Sequence, residues 1–131
     1  MKIEHLALWV RDLELMRTFY EDYFGAVSGD KYVNPRKQFT SYFLSFDSGP
    51  RLELMHRADI ADVGLTSVGE NEFLGLIHFA ISVGSKEKVD TLTAQLEKDS
   101  FKVIGAPRTT GDGYYESVVL DPEGNRIEIT V

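Results

Sequence analysis

The sequence predicts an α+β fold made of two tandem βαβββ modules, and three observations carry that prediction. The chain repeats itself: Ile3-Glu4-His5-Leu6-Ala7-Leu8-Trp9-Val10 aligns with Leu76-Ile77-His78-Phe79-Ala80-Ile81-Ser82-Val83, with His, Ala and Val in shared columns. Further on, Arg51-Leu52-Glu53-Leu54 matches Arg126-Ile127-Glu128-Ile129, each after a turn that contains Asp and Gly. The spacing from His5 to Glu53 and from His78 to Glu128 differs by only two residues, which is the mark of a duplicated structural unit.

The elements follow in order from local signals. Alternation up to Val10 predicts a strand. Asp12 is a good N-cap, and Leu13, Met16, Tyr20, Tyr23 and Phe24 recur at helical spacing as far as Gly25, a residue suited to the left-handed turn that ends a helix. Three β-rich stretches come next, over 26–33, 38–46 and 51–56, the last two joined by a hairpin turn at Asp47-Ser48-Gly49-Pro50. The second half repeats the plan. A strand runs to Val83, and Ser85 caps a helix whose inner stripe is Val89, Leu92 and Leu96. Strands then lie over 102–106, 114–120 and 126–131. The modules are expected at 1–57 and 75–131 within a single domain over 1–131. Between them, residues 58–74 have no sustained periodicity and are read as a linker.

Composition narrows the function. The chain has 131 residues, 43% hydrophobic and 27% charged, enough for one domain with a proper core. A net charge of −7, with basic residues scattered rather than striped, argues against a nucleic-acid partner. No apolar run approaches the roughly 20 residues that cross a bilayer, so no membrane partner is expected. The short apolar stretch near the start contains Glu4 and His5 and lacks a small-residue cleavage site, which predicts a cytoplasmic protein. With no cysteine, disulfides and thiolate chemistry are excluded, and any metal must be held by His and carboxylate.

Parity then singles out four residues. Successive strand side chains point to opposite faces. Leu6, Leu8 and Val10 share the face that the helix covers, which leaves His5, Ala7 and Trp9 on the other. Phe79, Ile81 and Val83 likewise oppose His78, Ala80 and Ser82. Leu52, Leu54, Ile127 and Ile129 take the apolar face, which leaves Glu53 and Glu128 opposite. A lone His or Glu on a half-buried face is ordinarily a core or solvated residue. The recurrence of the same pair at matching places in both copies argues instead for a shared cation. Two neutral nitrogen and two anionic oxygen donors suit a first-row divalent metal. Trp9, on the His5 face, is a candidate pocket wall, and Arg57 a candidate contact for an anionic group of a substrate. His56 has the wrong parity and no counterpart in the second copy.

These residues and motifs resemble the glyoxalase/bleomycin-resistance/dioxygenase family, the vicinal oxygen chelate superfamily, over nearly the whole chain. The resemblance rests on the opening His5 to Leu13 segment, the helix end Phe19-Tyr20-Glu21-Asp22-Tyr23-Phe24-Gly25, the Arg51 to Leu54 strand, Ile77-His78-Phe79-Ala80 and the closing Leu120-Asp121-Pro122-Glu123-Gly124-Asn125-Arg126-Ile127-Glu128-Ile129. It implies an open, mostly antiparallel curved sheet around one divalent ion (Ni, Zn, Co, Mn or Fe), a small-molecule substrate and a homodimer. The order His, Glu, His, Glu resembles that of the lactoylglutathione lyases, which maps metal ligation onto His5, Glu53, His78 and Glu128. The implied reaction is an isomerisation of a small carbonyl or thiol-conjugate substrate through an enediolate. Glu128 is the expected base and Glu53 its partner, with exchange of the two roles left open. At Trp9 and at Met55-His56-Arg57 the chain departs from the residues by which members of that group hold glutathione, so the thiol is left open. Two other functions stay in view: an Fe(II) ring-cleaving dioxygenase, and a non-catalytic protein that sequesters an antibiotic or other small molecule.

Overall fold

The computed structural model describes residues 1–61 and 75–131. The chain divides into two compact units, Met1–Asp62 and Val63–Val131. The fold is mixed α+β, with two open sheets and two helices among the described residues. The expected linker falls outside the described residues from position 62 onward.

In the first unit, β1 (His5–Trp9) pairs in parallel with β5 (Arg51–His56), and β5 pairs antiparallel with β4 (Phe39–Ser45). The helix α1 (Leu13–Phe24) begins where expected, because the Asp12 carboxylate accepts the Leu15 N–H at 2.9 Å. It ends at Gly25 with φ +63°, where the Gly25 N–H donates to the Glu21 carbonyl at 3.2 Å. Its buried face, Leu13, Met16, Phe19 and Tyr20, packs toward β4 and β5, whose Leu44, Leu52 and Leu54 are at most 2% exposed. Each such aliphatic side chain contributes roughly 1.5–3 kcal/mol by leaving water.

One strand differs from expectation. The stretch over 26–33 is two short strands, β2 (Val27–Ser28) and β3 (Tyr32–Asn34), both antiparallel to β4. Ser28 stands opposite Leu44 and Tyr32 opposite Ser41, so four steps on one side match three on the other. The extra residue falls at Gly29-Asp30-Lys31, where Gly and Asp, both poor strand formers, relax the ladder.

In the second unit, the sheet order is β6 (His78–Ser82), β9 (Arg126–Thr130), β8 (Tyr115–Leu120), β7 (Val103–Thr109). Again the first strand is parallel to the last and the remaining pairs are antiparallel. Ser85 caps α2 (Lys86–Lys98) by accepting the Lys88 N–H at 3.3 Å. The helix buries Val89, Thr93 and Leu96, while Leu92, expected on the inner stripe, is only half-buried. Thr93 is tolerated inside because its hydroxyl reaches both the Val89 carbonyl and Ser117 Oγ at 2.6 Å. β7 continues past its expected end at Ala106 and through Pro107. A proline is admissible there because β7 is the sheet's edge strand and its register with β8 shifts on both sides of Gly105.

Candidate metal centre

Within each unit the fold brings one His and one Glu together by the same device. The parallel register places Ala7 beside Glu53 and Ala80 beside Glu128, so the imidazole two residues earlier on the same face leans along the strand toward the carboxylate. His5 Nε2 lies 3.8 Å from Glu53 Oε2, and His78 Nε2 lies 3.1 Å from Glu128 Oε2. The two carboxylates are sheltered, with side chains 15% and 17% exposed, while the histidines are more open at 39% and 41%. The approach to β9 is fixed by Asp121. Its Oδ1 accepts the N–H groups of Glu123 and Asn125 at 3.0 and 2.9 Å, its Oδ2 accepts Asn125 Nδ2 at 2.8 Å, and Gly124 takes φ +89°. The closing Asp-Pro-Glu-Gly-Asn segment is therefore a hydrogen-bonded turn that delivers Arg126, Ile127 and Glu128 in a defined register.

The donor spacing fits a metal. Two coordination bonds of about 2.0–2.2 Å that meet at a tetrahedral or octahedral angle put their donor atoms roughly 2.9–3.5 Å apart. The His78/Glu128 pair is already at that separation and the His5/Glu53 pair is a few tenths of an ångström wider. Within each unit the donors come as pairs: among the described residues no group of three or more His, Asp or Glu side chains is gathered there into a cage.

The other expected site residues fall as follows. Trp9 is 43% exposed on the His5 face, edge-on to Phe39 at 5.9 Å. The Arg57 guanidinium stands 5.5 Å from the Trp9 ring, with its Nε donating to Asp59 at 2.5 Å, so Trp9 and Arg57 are brought together at one end of β1 and β5. His56 is a structural residue: its Nδ1 lies 3.0 Å from the Val10 carbonyl.

Two acidic residues that the sequence reading passed over stand beside the pairs. Glu4 holds His5 Nδ1 with one carboxylate oxygen and Arg51 Nη2 with the other. These contacts, His5 first, keep its carboxyl below the ordinary range. Glu116 is 8% exposed on β8, opposite Thr130 and next to Val118, which faces Glu128. Burial, then a hydrogen bond with Glu128 and the charge of that neighbour, push the Glu116 carboxyl up to about 7, against the pull of Arg108, whose Nη2 is 3.4 Å away. Parity along 115–120 could have found Glu116, because Ser117 and Val119 are on the helix side and Glu116 is therefore on the Glu128 side. Glu4 gives no such signal, since it precedes the strand whose alternation would assign it a face.

A duplicated βαβββ protein with a His and Glu pair on corresponding strands of each copy defines a class, and comparison with known proteins places the chain in it. The chain belongs to the glyoxalase/bleomycin resistance protein/dioxygenase superfamily, whose model matches residues 2–129. Members of this superfamily generally bind a divalent metal ion. Among solved structures it is similar to a possible glyoxalase from Bacillus cereus, with 26% identity, TM-score 0.70, and coverage of 100% of this chain and 99% of that one. It is also similar to the trypanothione-dependent glyoxalase I of Leishmania major, with 25% identity, TM-score 0.74, and coverage of 99% and 86%. Glyoxalase I from Zea mays shares the fold at 23% identity and TM-score 0.77 over 98% of this chain, which spans 44% of the maize chain. No curated protein matches the chain.

Proposed function

We propose that the protein is a metal-dependent lyase or isomerase of the glyoxalase type, which moves a proton between adjacent carbons of a small carbonyl or thiol-conjugate substrate. The observation that carries this reading is the repeated pairing of His Nε2 with Glu Oε2, at 3.8 and 3.1 Å, on the same face of corresponding strands. His5, Glu53, His78 and Glu128 would together hold one divalent ion from the set Ni, Zn, Co, Mn and Fe. When bound, the ion supplies a Lewis acid that stabilises negative charge on the oxygens of the substrate.

The chain's own residues supply the rest. A carboxylate that faces the substrate takes a proton from the hydroxyl-bearing carbon beside the carbonyl and returns it to the carbonyl carbon, while the hydroxyl proton passes to the former carbonyl oxygen, so that hydroxyl and carbonyl exchange places. Glu128 is assigned that role and Glu53 the role of its partner. Glu128 has the buried Glu116 carboxyl beside it, whereas the strand position that corresponds to Glu116 in the first unit is Ser41. Trp9 and Phe39 form an apolar wall for the organic part of the substrate, and Arg57 lies at the rim where an anionic group would sit. Relatives of this fold are typically dimeric and bind small molecules, and a homodimer is proposed here as well.

The test is elemental analysis of purified protein, followed by hemithioacetal isomerisation assays with several thiols. About one metal ion per proposed four-residue site is expected, with loss of both metal and activity in His5→Ala and in Glu128→Gln. Stoichiometric metal that survives both substitutions would overturn the assignment.

A further inference from the structure

His5 is held on the side away from Glu53 by a cluster that the second copy does not repeat. Its Nδ1 meets one oxygen of Glu4, and the other oxygen of Glu4 is taken by Arg51 Nη2. The backbone closes the same loop, because the Arg51 N–H donates to the Glu4 carbonyl at 3.0 Å. The Arg51 guanidinium lies 4.1 Å from the centre of the Phe43 ring, and the His5 ring stands edge-on to that same ring at 5.3 Å and 86°. In the second unit Ile77 stands where Glu4 does, and Val118 stands opposite Glu128 as Phe43 stands opposite Glu53. Arg126 is present at the place of Arg51, but residue 77 offers it no carboxylate.

An ionised carboxylate only accepts hydrogen bonds, so the imidazole nitrogen against it carries the hydrogen and the other nitrogen carries the lone pair. From this contact we infer that Glu4 is a positioning residue, which fixes His5 as the Nδ1–H tautomer and presents Nε2, on the Glu53 side, to the cation. The inference rests on the metal-centre reading above and gives it an asymmetry. One imidazole is preorganised by an anionic partner anchored through Arg51 and Phe43, and its counterpart His78 has an aliphatic neighbour in place of that anchor. Carboxylates that orient metal-bound imidazoles in this way raise cation affinity roughly 10- to 100-fold.

The experiment compares wild type with Glu4→Gln by two measurements. The chain contains only three histidines, so their ring nitrogens are assignable by NMR on 15N-His protein, with His56→Gln and His78→Gln to sort the signals. In metal-free wild type at pH 8, His5 is expected to be almost wholly the Nδ1–H form, and in Glu4→Gln a mixture of tautomers. Competition of Zn²⁺ and Ni²⁺ against a chromophoric chelator is expected to show affinity about 10- to 100-fold lower in Glu4→Gln. The thermal midpoint of the metal-free protein should fall by no more than a few degrees, because both partners are exposed and such a contact adds little to stability.

If wild type and variant bind the cation equally and His5 keeps one tautomer in both, the inference is overturned while the metal-centre reading stands. Wild type that binds no cation would overturn the metal-centre reading, and this inference with it.

Discussion

Glu116 makes the stability of the metal-free protein depend on pH in a direction opposite to that of an ordinary salt-bridged carboxylate. Its carboxyl is raised from 4.5 to about 7, mainly by burial and then by its contact with Glu128. The folded state therefore holds this proton more firmly than the unfolded chain does. Below pH 4.5 both states are protonated and the contribution is complete. As the pH climbs from 4.5 to about 7 the unfolded chain releases its proton first, so stability falls, and above about 7 the contribution is gone. At 1.36 kcal/mol for each tenfold change in proton affinity, the span corresponds to about 3 kcal/mol. In a chain of this size that is a change of roughly 10 °C in the thermal midpoint. Glu116→Gln replaces the carboxyl by a neutral amide of the same shape and removes this titration. Chelator-treated wild type and variant, melted at half-unit steps from pH 4 to pH 8.5, should give curves that diverge across that window, with the variant ahead by about 3 kcal/mol at the alkaline end. Parallel curves would refute the reasoning, because they would mean that Glu116 sits in water or that Arg108 fully neutralises it.

Three further outcomes follow from the packing. Leu54→Ala removes a fully buried side chain from the centre of β5 and should cost about 2–5 kcal/mol in urea denaturation. Thr93→Val leaves the buried Ser117 hydroxyl without its 2.6 Å partner and should cost about 1–3 kcal/mol, most of which returns in Thr93→Val/Ser117→Ala, where neither hydroxyl remains. Ser100 ends α2 with φ +70°, while the Phe101 N–H donates to the Leu96 carbonyl, a turn that glycine makes without strain. Ser100→Gly should therefore raise stability by about 0.5–1 kcal/mol in the same assay.

The duplicated plan, both helices with the caps Asp12, Gly25 and Ser85, and the face on which His5, Glu53, His78 and Glu128 lie were legible in the sequence, whereas the end of α2 at Asp99 and Ser100 was not. Each rests on local physics. A strand alternates every second residue and a helix returns every three or four, so Leu52 and Ile127 declare the core side and Glu53 and Glu128 the other. Asp12, Ser85 and Gly25 act through their own backbone neighbours. The break between β2 and β3 and the passage of β7 through Pro107 were not legible, because a bulge is a property of two paired strands rather than of either one.

Sequence by itself determined the repeat, the family and the residue types available for chemistry. Tertiary structure alone decided that Ala7 lies beside Glu53 and Ala80 beside Glu128, and so that His and Glu approach to 3.8 and 3.1 Å. It also decided that Glu4 and Arg51 close around His5, and that Glu116 is buried next to Glu128. The physical reason is that side-chain periodicity is written in neighbouring residues, whereas register, burial and the field around a carboxyl are set by segments tens of residues apart that meet only once the sheets have formed.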